Sequence, residues 1–271
     1  MQIVKSNLVR AGFPALALAA WFTPAQAAVV TLNPSHDTSL IQVQPDRNNG
    51  GEAWFLAGTT QNGTLNRGLI QFDFTGVLPP NAVITSVNLS LDVTRVPSCG
   101  SAISSFSLHR LLVPWGEGNK VALDNNGGQG APATAGEATW SHRFLGGPAW
   151  SAPGGAPNAD YAVDPSASAF IYGTGDSPYD FAGTAMVSDV QGWLAGSQSN
   201  FGWIFISDDE GTPFTARRFG SREDPNATPQ LTVRFDLVPE PPTAALFGLA
   251  LALAAAAAGR KRVPIRLRGR A

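Results

Sequence analysis

Residues 82–96 read AVITSVNLSLDVTRV. Val83, Val87, Leu89, Leu91 and Val93 occupy alternate positions on one side, and Ile84, Ser86, Asn88, Ser90, Asp92 and Thr94 occupy the other. A period of two over this length predicts a strand with one face on a core, because a helix would repeat every 3.6 residues. Such a strand needs partners along its edges, so the chain is committed to a sheet. Residues 67–74 (RGLIQFDF) place Ile70, Phe72 and Phe74 in one phase, and residues 106–113 (FSLHRLLV) and 230–237 (QLTVRFDL) repeat the habit. Residues 201–207 (FGWIFIS) are apolar on both faces and predict a central strand, with Trp203 in the core.

The punctuation agrees. PDRNNGG, LPPNA and DNNGGQG supply Pro, Asn and Gly where the backbone must reverse. With 29 Gly, 21 Pro and only 14% charged residues, the composition favours short strands joined by turns. Residues 116–136 and 149–165 are rich in Gly or Pro and read as long surface loops. Before residue 238, only 185–196 carries a helical period, through Met186, Val190 and Trp193/Leu194. Cys99 is the single cysteine, so no intrachain disulfide forms and core burial must hold the fold. The expectation is one all-β domain over residues 28–237, an antiparallel β-sandwich of jelly-roll type, with one transmembrane helix near the C-terminus.

Both ends carry export features. Lys5 and Arg10, an apolar stretch over 11–22 and Ala25-Gln26-Ala27 have the order of a secretory signal peptide, predicting cleavage after Ala27 and removal of residues 1–27. From Ala28 to Val238 there are 10 Lys and Arg against 19 Asp and Glu, a net of −9. A domain this acidic lacks the basic face that nucleic acid requires. Beyond Gly259 there are six Lys and Arg and no acid. Residues 243–259 are 17 positions without charge; at 1.5 Å each they span about 26 Å, enough for a thin bilayer. Arg260, Lys261 and Arg262 would then stay cytoplasmic, within a basic tail over 260–271.

Two resemblances add to this reading. HDTSL, NRGLIQFDFTGVLPPNAVITSVNLSLDV, LHRLLVPWGEGN with ATWSHR, VQGWLAGSQSNFGWIF and RRFGSREDPNATPQLTVRF occur in this order, and together the chain resembles the DNRLRE domain family of bacterial extracellular β-sandwich modules. That resemblance implies a carbohydrate-binding-module-like sandwich, with acidic polysaccharides among the family's ligands, and framework roles for Trp54, Trp115, Trp140 and Trp193. Residues 238–262 resemble the PEP-CTERM sorting signal: Pro239, Glu240 and Pro241, then the apolar span, then Arg260, Lys261 and Arg262. This resemblance implies export through the Sec pathway and an inner-membrane intermediate. It also implies processing by an exosortase, with release to the cell surface or matrix of a Gram-negative-type bacterium.

The residues offer few candidates for chemistry. His36, His109 and His142 lie apart, without zinc-site spacing. Glu117 and Glu137 are the pair a glycosidase would need, but both read as solvated loop acids, and no catalytic constellation is expected. Trp150 and Tyr161 lie in a Pro/Gly loop, where a ring either pins the loop or offers a face to a sugar. Arg217, Arg218 and Arg222 form the one dense basic stretch, suited to carboxylates, with Asp208, Asp209, Glu210, Glu223 and Asp224 as competing partners. Asp46, Asp208 and Asp209 sit in turns with the oxygen donors calcium takes; no other cofactor is implied. The expected function is a non-enzymatic, exosortase-sorted surface or matrix protein that binds polysaccharide. The alternatives are a structural or adhesive matrix protein and a polysaccharide-degrading enzyme.

Overall fold

A computed structural model describes residues 26–122 and 129–237, together with Gly248, Ala250, Leu251, Leu253 and Ala254, which are helical. Among the described residues no helix is long and apolar enough to cross a membrane. Pro239, Glu240, Pro241, Arg260, Lys261 and Arg262 lie outside the described residues, as does most of the expected span.

Gln26–Val238 make one compact unit. Its elements are β1 (Gln26–Leu32), β2 (His36–Ile41), β3 (Arg47–Asn48), β4 (Trp54–Thr59), β5 (Leu65–Gln71), β6 (Ala82–Leu91), β7 (Val93–Arg95), β8 (Ser104–Arg110), β9 (Ala131–Pro132), β10 (Ala167–Ile171), β11 (Tyr179–Ala182), α1 (Thr184–Leu194), β12 (Trp203–Ser207), β13 (Arg217–Gly220) and β14 (Gln230–Leu237). Every pairing between these strands is antiparallel. One sheet has the order β1-β14-β6-β11. A larger one runs β10-β8-β12-β5-β4-β13-β7, with β2 also on β5, and β3 and β9 form a separate two-stranded sheet.

The core lies between the two sheets. Phe205 of β12 meets Phe181 of β11 edge to face at 5.2 Å, which ties the large sheet to the small one. Phe55, Phe106 and Phe219 surround it at centroid distances of 4.8–6.3 Å. As expected from its apolar faces, β12 is a central strand, buried at all five positions between β8 and β5. α1 closes one end with Met186, Val190 and Trp193. It stops where Gly196 takes φ +67 and its N–H bonds Trp193 O, a left-handed ending that Gly allows cheaply. Asp189 joins α1 to the sheet, accepting from the Trp203 indole (3.0 Å) and pairing with Arg110 (3.0 Å).

Two expectations need correction. Val83 is exposed and Ile84 buried, the reverse of the simple alternation. Phe235 pairs with Ile84 and Arg234 with Ser86, so Thr85 is an extra residue. This bulge shifts the side-chain phase, and Val87, Leu89 and Leu91 then face inward. The other correction concerns 149–165, which is not a plain surface loop. Trp150 and Tyr161 join Leu40, Leu69, Leu111, Trp115, Trp140, Ile204 and Ile206 in a second apolar cluster. Leu69, Ile204 and Ile206 alternate with core-facing Ile70, Trp203 and Phe205, so this cluster covers the outer face of the large sheet. Gly154 makes the closeness possible: at φ +84, a Cβ there would sit 2.6 Å from the Trp140 ring.

Candidate anion-binding groove

β13 reads Arg-Arg-Phe-Gly, and its alternation sends the two arginines to opposite faces. Arg217 shares the inner side with Phe219 and is fully buried. Its Nη1 donates to the carbonyls of Phe214, Thr215 and Ala216 (3.0–3.2 Å), and its Nη2 to those of Ala102 (2.7 Å) and Tyr172 (3.0 Å). Burial pushes its pKa below the ordinary arginine value. Arg217 is therefore a structural cross-brace and not a surface cation.

Arg218 faces outward. Its guanidinium lies 3.9 Å over the Trp54 ring. Across the strands its partners are Leu56 on β4 and Arg95 on β7. Arg95 reaches that face through a second bulge. The register steps from Phe219–Val93 to Arg218–Arg95 and leaves Thr94 over, so Arg95 loses the inward phase of Val93. Two like charges directly opposite one another are destabilising in a sheet. Neither has an ion pair among the described residues. Burial first, and then the like charge of Arg95, hold Arg218 below its ordinary pKa.

These arginines border a groove of about 390 Å³. Ile41, Val43 and Leu56 supply apolar wall, and Gln61, Asn62, Asn66, Gln129, Thr60 and Thr64 supply amides and hydroxyls. Among the described residues no carboxylate lines it, although the domain as a whole is acidic. Guanidinium forks match carboxylate or sulfate, while amides and hydroxyls serve sugar hydroxyl groups.

The other predicted residues are placed differently. Arg222 is not in the groove: its Nε contacts Glu223 (2.8 Å), one of the competing partners expected for it, and Glu117 (2.7 Å), which was not among them. Trp150 is 5% exposed and donates its indole N–H to Thr139 O (2.9 Å), and Tyr161 is 7% exposed. Neither ring leaves a face for a sugar, so both are loop-pinning core residues. Asp209 accepts from Ser104 Oγ (3.2 Å), and the Asp208 N–H is spent on Ser105 O. No group of three or more metal-ligating side chains gathers around Asp46, Asp208 or Asp209 among the described residues. Glu117 also accepts from the Asp37 N–H (2.8 Å), and Glu137 is held by Lys120 (3.1 Å) and the Thr134 N–H (2.7 Å). The sequence reading found Arg218 but missed Arg95 and took Trp54 for framework packing. Only the bulge brings Arg95 to the groove.

Asp37, beneath Arg222, is buried and accepts the Arg222 N–H at 2.8 Å. Burial raises its pKa well above the usual carboxylate range, with Glu223 and Glu117 adding to the effect. An unfolded Asp titrates near pH ~4, so above that the folded protein keeps a proton that the unfolded chain has released. Stability should therefore fall as pH rises toward the folded pKa of Asp37 and recover as pH falls. Asp37→Asn keeps an acceptor for Arg222 and removes this slope. In urea melts across pH 4–8, the variant should lose less stability on the alkaline side than the wild type; Glu223, also raised by burial, leaves a residual slope. Parallel curves would show that Asp37 titrates in the folded protein as it does in the unfolded chain.

No protein-family model matches this chain and no curated protein matches it, so the groove is read from its own geometry.

Proposed function

We propose that this chain is an exported, exosortase-sorted surface or extracellular-matrix protein whose sandwich, of jelly-roll type, binds acidic polysaccharide without transforming it. The observation that carries this reading is the groove: two arginines with no ion pair among the described residues, side by side, amid amides and hydroxyls in an acidic domain. A polyanion would relieve the Arg95–Arg218 repulsion and supply the missing counter-charges. The full-length chain should be retarded in affinity gels by polyuronates or sulfated glycans far more than by neutral polysaccharides, and less so as salt rises. Equal mobility in every gel would remove the binding reading.

The purely adhesive alternative has one observation in its favour. Phe170, Tyr172 and Ile103 are 62%, 49% and 59% exposed beside the edge strand β10. Undiminished matrix attachment without polysaccharide would favour it.

For sorting, the proposal is that residues 243–259 hold the chain in the inner membrane until an exosortase cuts near Glu240, with Arg260, Lys261 and Arg262 on the cytoplasmic side. Glu240→Ala should leave the full-length chain in the membrane while the wild type is released without Arg260 onward. Mass spectrometry of the mature protein from its host decides this: an intact C-terminus ending at Ala271 makes the tail a simple anchor.

A further inference from the structure

Asn-Gly occurs three times in the sequence, at 49–50, 62–63 and 126–127. The dipeptide has a reaction of its own. Asparagine is chemically labile, and glycine, lacking Cβ, leaves its amide nitrogen open to the carboxamide just before it. The third pair lies outside the described residues. The other two have opposite surroundings.

Asn49 is 1% exposed, and both ends of its amide are engaged. Its Oδ1 accepts the Ser39 N–H (2.9 Å) and the Thr38 hydroxyl (3.3 Å), and its Nδ2 donates to Trp54 O (3.3 Å). Gly50 donates its N–H to Asn48 Oδ1 (2.8 Å) and is packed so closely that a Cβ there would lie 2.6 Å from Glu117 O. The Asn49 carboxamide cannot turn onto the Gly50 nitrogen without breaking this network.

Asn62 and Gly63 are at the tip of the β4–β5 hairpin, which is closed by the Thr60 N–H on Thr64 O (2.9 Å). Both residues are exposed. The Asn62 N–H reaches Thr60 Oγ1 (3.3 Å), while its carboxamide makes no hydrogen bond among the described residues. No atom lies within 4 Å of where a Gly63 Cβ would stand, so there is room for a new ring. The Gly63 N–H donates to Thr60 O (3.1 Å), and that single bond at an exposed tip is what must open first. Asn62 also lines the groove that Arg95 and Arg218 border, where among the described residues no carboxylate stands.

We propose that Asn62 is a modification site: spontaneous deamidation there puts a carboxylate into the groove and weakens its hold on polyanions. The Gly63 nitrogen attacks Asn62 Cγ. The N–Cγ bond forms, the Cγ–Nδ2 bond breaks, and ammonia leaves with the proton from the Gly63 nitrogen. Water then opens the cyclic imide at either carbonyl and gives aspartate or isoaspartate at position 62. No enzyme, oxidant or cofactor is required. The new carboxylate supplies Arg95 and Arg218 with a counter-charge from the protein itself and repels an incoming polyanion. The conversion stands on the geometry of the hairpin tip; its consequence rests on the groove being a polyanion site.

The test ages the full-length chain in detergent at mildly alkaline pH. Mass spectrometry of its peptides reads the conversion of each asparagine to an acid, and isoaspartyl methyltransferase labelling gives a second readout. Asn62 should convert faster than Asn49 by about tenfold or more, because the buried site must first open. Asn62→Asp should bind a polyuronate about fivefold or more weakly than unaged wild type at low salt, with the difference shrinking as salt rises. Asn62→Gln keeps the amide but would have to close a larger ring, so it should hold its affinity on ageing while the wild type loses it. Conversion at Asn62 no faster than at Asn49 overturns the modification site. Wild-type polyuronate affinity in Asn62→Asp overturns its effect on the groove, as does an equal loss on ageing in Asn62→Gln. An unaged wild type that binds no polyuronate would instead overturn the groove reading and with it the consequence, while the rates at the two asparagines still decide the modification.

Discussion

Replacing Arg95 and Arg218 together by alanine is expected to reduce affinity for acidic polysaccharide by about a hundredfold or more. A hydrogen-bonded contact to a charged group is worth roughly 1.5–3 kcal/mol, which is about tenfold to 150-fold for each arginine. The two single variants should not add. The guanidinium groups stand opposite one another and would share one anion, so removing Arg95 also removes a repulsion on Arg218 and the two losses are coupled. Arg218→Lys should also lose most of the binding, because an ammonium neither forks onto a carboxylate nor lies flat on Trp54. The fold should be indifferent or slightly more stable, since a like-charge cross-strand pair is gone. Calorimetry with a polyuronate at two salt concentrations, beside urea melts, separates these effects. Wild-type affinity in the double variant would mean that the groove is not the site.

Arg217→Ala is expected to do the opposite: to leave the groove's chemistry in place and cost the fold about 3–5 kcal/mol, the range for breaking a buried charged network. The reason is the bond count at one side chain. Five carbonyls, from the 214–216 turn, from Ala102 ahead of β8 and from Tyr172 behind β10, converge on one guanidinium. Alanine orphans those that water cannot reach, and it empties a fully buried volume. The melting temperature should fall by roughly 6–20 °C for a domain of this size. A drop equivalent to less than about 1 kcal/mol would mean that water replaces the side chain and that the cross-brace is dispensable. Two neighbouring arginines of one tetrapeptide would thus give a stability phenotype and a binding phenotype, because a strand sends successive side chains to opposite faces.

The all-β class was legible because it depends on local quantities. Period two in β6, the doubly apolar β12 and the Pro/Asn/Gly turns each express an energetic preference within a few residues. β14 at Gln230–Leu237 and α1 at Thr184–Leu194 fall where alternation and the 3.6-residue period placed them, give or take two residues. Arg218 could be nominated because charge density is a property of sequence. What pairs with each charge is not. Arg217 and Arg218 look alike in one dimension, and the difference between them is which side of β13 the core lies on. Arg95 was invisible because Thr94 is an extra residue only when counted against β13, and the phase error at Val83 has the same origin in Thr85 counted against β14. A bulge belongs to two strands and cannot be read from one. Trp150 and Tyr161 looked like loop aromatics because their neighbours in sequence are Pro and Gly. Leu69, Ile204 and Ile206, whose outer face they cover, lie up to roughly a hundred residues away along the chain. The sequence alone determined the composition of the strands and the sign of the charges; tertiary structure decided which charges were left unpaired, because pairing depends on which strands meet and in what register.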